Sequence, residues 1–137
     1  MLSIENFSEI YPLIAESADI CMKPWKHSVV NNNDKDSSQH IDVNSNFHDL
    51  ILRIECRSVE GIRFYQYDLD VEIYPSGKDI CLMISLCNNL EHPILWQGKH
   101  SFWMDSETGN RCNTPGNAND IELFARRLMS LFLNSQE

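Results

Sequence analysis

No segment of this sequence approaches the roughly 18–20 consecutive apolar residues that a bilayer-spanning helix needs. Positive charge is missing from its start. Met1 to Asp19 carries Glu5, Glu9, Glu16 and Asp19 and neither Lys nor Arg. A secretory leader begins basic and continues apolar, so the expected location is cytoplasmic. Basic residues are scarce throughout. Eleven Lys and Arg stand against twenty Asp and Glu, a formal net charge of -9. Nucleic acid and anionic lipid surfaces both require clustered basic side chains. The Lys and Arg here are scattered, so neither is an expected partner.

Catalytic motifs are also missing. There is no Gly-rich phosphate loop, no HExxH, no GxSxG and no CxxC. No catalytic residue is assigned on this reading, and no cofactor is expected. The five cysteines, Cys21, Cys56, Cys81, Cys87 and Cys112, are odd in number and widely spaced. That is wrong for a secreted disulfide framework. Most lie in apolar or alternating stretches, as small buried thiols do. Cys81 and Cys87 share a strand face but stand roughly 20 Å apart along it, too far to bond.

What is present fits one globular domain. The 137 residues are 42% hydrophobic and 23% charged, long enough and apolar enough for a core. Ser3 to Met22 reads as a helix, with Ile4, Phe7, Ile10, Tyr11, Ile14, Ala18 and Cys21 on one stripe. Pro12 suits a first turn, so Ser8 is the expected N-cap of the main helix, which should stop before Pro24. Residues 26–46 include Asn31-Asn32-Asn33, Asp34, Asp36 and Ser37-Ser38 and read as a polar, flexible loop.

A sheet follows. Leu50, Leu52, Ile54 and Cys56 alternate with polar residues in a half-buried strand over 47–57. Residues 62–74 read as a longer strand. Its apolar phase slips at Phe64-Tyr65, which suggests a β-bulge. Pro75 to Lys78 is a turn. Asp79 to Cys87, with Met83 on its second face, reads as a central strand. Ile94-Leu95-Trp96 and Ser101 to Asp105 form either a hairpin about Gly98 or one bent strand. A last helix begins near Asn117 or Asn119, with Ile121, Phe124, Ala125, Leu128, Leu131 and Phe132 as its buried stripe. The expected architecture is α+β: an N-terminal helix, a four- to five-stranded antiparallel meander and a C-terminal helix, both helices packed on the sheet.

Three constellations carry possible chemistry. Asp68, Asp70 and Glu72, at spacing two, would share a strand face. They could hold Mg²⁺ or Mn²⁺, or be a solvent face paired with Arg53 and Arg57. The five histidines form no short ligand pair, so no metal site is assigned beyond those carboxylates. Trp96-Gln97-Gly98-Lys99-His100-Ser101-Phe102-Trp103 packs three large aromatics into eight residues, with Arg111 nearby. Aromatic and Arg residues concentrate at binding hot spots, and Lys99, His100 and Arg111 could make a local cationic spot for a small anion or acidic peptide.

The functional expectation is therefore a small interaction or regulatory module, an adaptor or assembly factor. It would bind a protein partner or itself, as a homodimer, through Trp96, Lys99, His100, Trp103 and Arg111. One alternative is a small-ligand pocket between sheet and helix lined by Tyr65, Tyr67, Trp96 and Trp103. Another is a divalent-metal enzyme using Asp68, Asp70 and Glu72, with His100 beside them.

Overall fold

A computed structural model describes residues 7–31, 49–116 and 118–134. Helix α1 spans Phe7–Cys21. Six strands follow: β1 Lys26–Asn31, β2 Leu50–Arg57, β3 Leu69–Ser76, β4 Asp79–Leu86, β5 Ile94–Gln97 and β6 Phe102–Met104. Helix α2 spans Ala118–Asn134. The strands form one antiparallel sheet in the order β1-β2-β3-β4-β5-β6, a meander in which every chain neighbour is a sheet neighbour.

Strand alternation divides the sheet into two faces. Leu50, Leu52 and Ile54 of β2, Leu69, Val71 and Ile73 of β3, and Ile80, Leu82 and Ile84 of β4 are buried on one of them. Leu95 and Trp103 continue it through β5 and β6. Both helices cover this inner face. Ile10, Ile14 and Ala18 of α1 and Phe124, Ala125, Leu128 and Phe132 of α2 join the same hydrophobic cluster. Each Leu or Ile sealed there contributes roughly 1.5–3 kcal/mol of burial. As expected, β4 is an inner strand, and its Met83 is half-buried on the outer face.

The structure corrects four local expectations. Lys26–Asn31 is a strand, not the start of a loop, and it brings the sheet to six strands rather than the expected four or five. Pairing with β2, from Lys26 opposite Arg57 to Asn31 opposite Leu52, supplies what its polar sequence does not. The rest of the expected loop, residues 32–46, lies outside the described residues. Residues 62–74 are not one bulged strand. Arg63 makes an isolated bridge to Arg57, Tyr65–Tyr67 is a 3₁₀ turn, and β3 begins only at Leu69. Pro12 lies inside α1, where its exposed ring meets solvent, and Ser8 belongs to the first turn rather than capping it. Pro75 and Ser76 extend β3, so the hairpin turns on Gly77-Lys78 alone, with Gly77 at φ 64°. At α2, Asn119 sits one residue inside the helix, and Asn117 lies outside the described residues.

Candidate functional site

The aromatic stretch at Trp96–Trp103 forms the β5–β6 hairpin. Its register pairs Leu95 with Trp103 and Trp96 with Phe102. The two Trp therefore face opposite sides of the sheet. Trp103 is 3% exposed and belongs to the core. Its Nε1 donates to Glu122 Oε2 on α2 at 2.7 Å, so it fastens the helix to the sheet and offers no free surface. This removes Trp103 from the expected exposed patch.

Trp96 is half-buried on the outer face. It folds back over its own turn. A Cβ on Gly98 would lie 2.5 Å from the Trp96 ring and 3.0 Å from Cys81 Sγ, so only glycine leaves room for the indole. Trp96 Nε1 donates to Tyr74 Oη at 2.7 Å, and its ring lies 5.0 Å from that of Phe102. Arg111 stacks over the Phe102 ring, 4.6 Å from its centroid. Lys99 and His100 are exposed in the turn. These aromatics mostly satisfy one another.

The chain also closes this edge of the sheet. Cys112 N–H donates to the Trp103 carbonyl at 2.8 Å, and Asp105 N–H to the Asn110 carbonyl at 2.8 Å. Arg111 bridges Met104. The backbone groups of β6 thus meet the chain's own return segment. Between β6 and α2 remains a cleft of about 220 Å³ lined by residues including Trp103, Arg111, Thr114 and Glu122. Drug-sized ligand pockets run from about 300 Å³ upward, so this cleft holds little more than one side chain. Tyr65, Tyr67 and Trp96 do not line it.

The three acidic residues do not converge. Asp68 is 1% exposed. It accepts the Cys56 N–H at 2.8 Å and pairs with Arg63. Its carboxylate takes the place of a backbone partner where β3 has not yet begun. Arg63 reaches on to Glu55 at 3.2 Å and stacks over Tyr65. Asp70 faces Arg53 at 3.9 Å, and Glu72 shares a hydrogen bond with Asp49. Burial and then that neighbouring carboxyl raise the Glu72 pKa. Among the described residues, no group of three His, Cys, Asp or Glu is placed to hold a metal. Burial pushes the Cys56 thiol up to about 11 and the Cys87 thiol to about 12. Neither is therefore an activated nucleophile.

The opposite edge of the sheet differs. The chain leaves α1 through Met22–Pro24 and delivers Trp25 to the mouth of β1. Trp25 packs on Phe64 at 4.6 Å and Tyr67 at 5.2 Å between ring centroids. Beside it opens an apolar groove of about 550 Å³, lined by Ile20, Lys23, Pro24, Trp25, Lys26 and Val59, with Glu16 and Asp19 also contributing. Ile20 is 42% exposed and Val59 66%; Ile62 and Tyr65 exceed 60% and Tyr67 is at 47% along the neighbouring loop. Clustered exposed apolar side chains mark interaction surfaces, unlike isolated ones.

The His27 side chain is almost fully buried, and its Nδ1–H donates to groove-lining Asp19 at 2.9 Å. Burial lowers the His27 pKa, against the opposing pull of Asp19. The edge strand beginning here, β1, pairs with β2 on one side only. Among the described residues, no backbone hydrogen bond from outside the sheet reaches Lys26 to Val30 on its other side.

Residues 11–131 match the sequence pattern of a family described as Domain of unknown function (DUF8659). The chain belongs to this family. The matched span holds both edges of the sheet and every residue of the groove, so these features fall within the DUF8659 domain itself. No curated protein and no solved structure matches the chain. None of the groove residues stood out in the sequence. Trp25 follows a proline in a polar neighbourhood, and Val59 and Ile62 flank a turn. Only the exposed apolar character of a loop, Val59 to Tyr67, was there to be noticed.

Proposed function

We propose that this DUF8659 domain is a protein-interaction module, an adaptor or assembly factor, which receives an apolar segment of a partner in the Trp25 groove. The observation that supports this most is a groove of about 550 Å³ lined by exposed Ile20 and Val59, with half-exposed Tyr67 packed on its Trp25. Trp and Tyr give such a surface large contact area and a polar handle at low entropic cost. A site of this kind needs no catalytic grouping. The net charge of -9 favours encounter with partners of opposite sign. The five free thiols suit a reducing, cytoplasmic setting.

The test compares affinity capture by the wild-type chain, by Val59→Asp and by Leu90→Asp. Leu90 is 87% exposed on the β4–β5 connection, so it controls for added charge. A protein retained by the wild type and by Leu90→Asp but lost by Val59→Asp supports the groove. Equal retention by Val59→Asp removes it.

A further inference from the structure

A sheet edge has a definite chemistry. Every second residue of an unpaired edge strand turns an N–H and a C=O outward, and only another extended chain satisfies a row of them in register. This sheet has two edges, and the chain treats them differently. At β6 the segment Asn110–Cys112 returns and takes up the Trp103 carbonyl. At Lys26 to Val30 of β1 no backbone hydrogen bond from outside the sheet does so among the described residues.

Edge strands that avoid pairing carry Lys along the edge, inward charges, prolines or bulges. β1 has no proline, and its sequence, Lys-His-Ser-Val-Val-Asn, carries a single permanent charge, Lys26 at its first residue. The strand is also self-complementary. Two copies related by a two-fold axis normal to the sheet, with both helical layers on one side, pair residues of like parity. Setting Ser28 against Ser28 of the second copy puts His27 against Val29 and Lys26 against Val30. No like charges face each other, although the chain carries a net -9. On the inner face the His27 side chain is buried and Val29 half-buried, and on the outer face Lys26 and Val30 are exposed. Like would therefore meet like in burial across the seam.

We infer that β1 is a self-association edge, pairing antiparallel with β1 of a second copy to form one continuous twelve-stranded sheet. The inference is separate from the groove. Of the groove-lining residues only Lys26, at the end of the seam, belongs to β1.

Val30 provides the test, because it is 41% exposed and tolerates a charge without disturbing the core. In the paired register each Val30 faces the other copy's Lys26, so a substitution acts twice. Opposed charges across strands contribute roughly 0.2–1 kcal/mol per pair. Two pairs change the dimer constant by roughly twofold to thirtyfold. Sedimentation equilibrium of the full chain, from low-micromolar to near-millimolar concentration, should show a monomer–dimer equilibrium. Val30→Lys should weaken it and Val30→Glu strengthen it, both effects shrinking as salt rises. Thermal melts at low concentration check that each variant folds. They also separate any effect of the cross-strand neighbour Arg53 within one chain. A wild-type chain that stays monomeric throughout overturns the inference. So does a dimer whose constant is the same in both variants, which would place the contact elsewhere.

Discussion

The two edges of this sheet reverse the roles their sequences suggest. The β6 edge carries two Trp, a Phe, a Lys, a His and a nearby Arg within sixteen residues, and it is closed. Trp103 is held by Glu122, Trp96 by Tyr74, Phe102 by Arg111, and the strand's backbone by Cys112. The β1 edge carries a short polar strand, and among the described residues no backbone hydrogen bond from outside the sheet reaches its Lys26 to Val30, beside an apolar groove. Aromatic residues supply binding surface only when their rings are left unspent. At β6 they have been used to close the end of the sheet, whereas at the Trp25 end Tyr65 and Tyr67 keep roughly half or more of their area in solvent.

This contrast breaks most easily at Trp103. Trp103→Ala removes a buried indole and leaves the Glu122 carboxylate without its donor, a cost of about 4 kcal/mol. Tyr67→Ala, at the other end, removes a half-exposed ring and should cost only about 1 kcal/mol. Urea unfolding of both variants measures the difference. A Trp103→Ala protein as stable as the wild type would mean that the β6 aromatics are surface after all, and the comparison would fail.

Gly98 gives a sharper and smaller test of the same edge. Gly98→Ala places a methyl where the Trp96 ring lies, at a contact of 2.5 Å. The indole must swing out or the turn must shift, which costs roughly 1–3 kcal/mol. The Trp96 indole N–H resonance should move as the hydrogen bond to Tyr74 breaks. An unmoved resonance would show that the ring does not depend on the turn.

The legible parts of the fold are those where local pattern and tertiary role agree. Leu50, Leu52, Ile54 and Cys56 alternate and are buried alternately; Ile121, Phe124, Ala125, Leu128 and Phe132 form a helical stripe and are buried together. The α+β class and the strand meander follow from such segments. Three features were not legible for physical reasons. β1 is a strand because β2 and α1 make it one, and Lys-His-Ser-Val-Val-Asn has little preference of its own. Asp68 looks like the first of three alternating surface acids, yet it precedes β3 and is buried to satisfy the Cys56 N–H. The face of Trp103 depended on the parity of the hairpin connection. Pairing 96 with 102 separates the two Trp, while a connection one residue shorter or longer would have placed them together. Sequence could propose the hairpin but not count its loop.

The smallest expected effect lies at the open edge and depends on pH. His27 is buried beside Asp19, with Asp68 and Lys26 contributing weaker fields. Burial outweighs the carboxylates and lowers its pKa from the ordinary value of 6.5. The unfolded chain therefore binds a proton there more readily than the folded one. The resulting stability is fully present above about pH 6.5 and declines as pH falls from that value through the lower folded pKa. Carboxylates titrate mainly below this window, so His27 should dominate the slope at its upper end. Melting temperature should fall on acidification just below pH 6.5 in the wild type and much less in His27→Gln, although the variant starts lower for want of a good partner for Asp19. A melting temperature that rises on acidification through this range would show that Asp19 outweighs burial. The pair would then be a charged anchor for β1 rather than a neutral one.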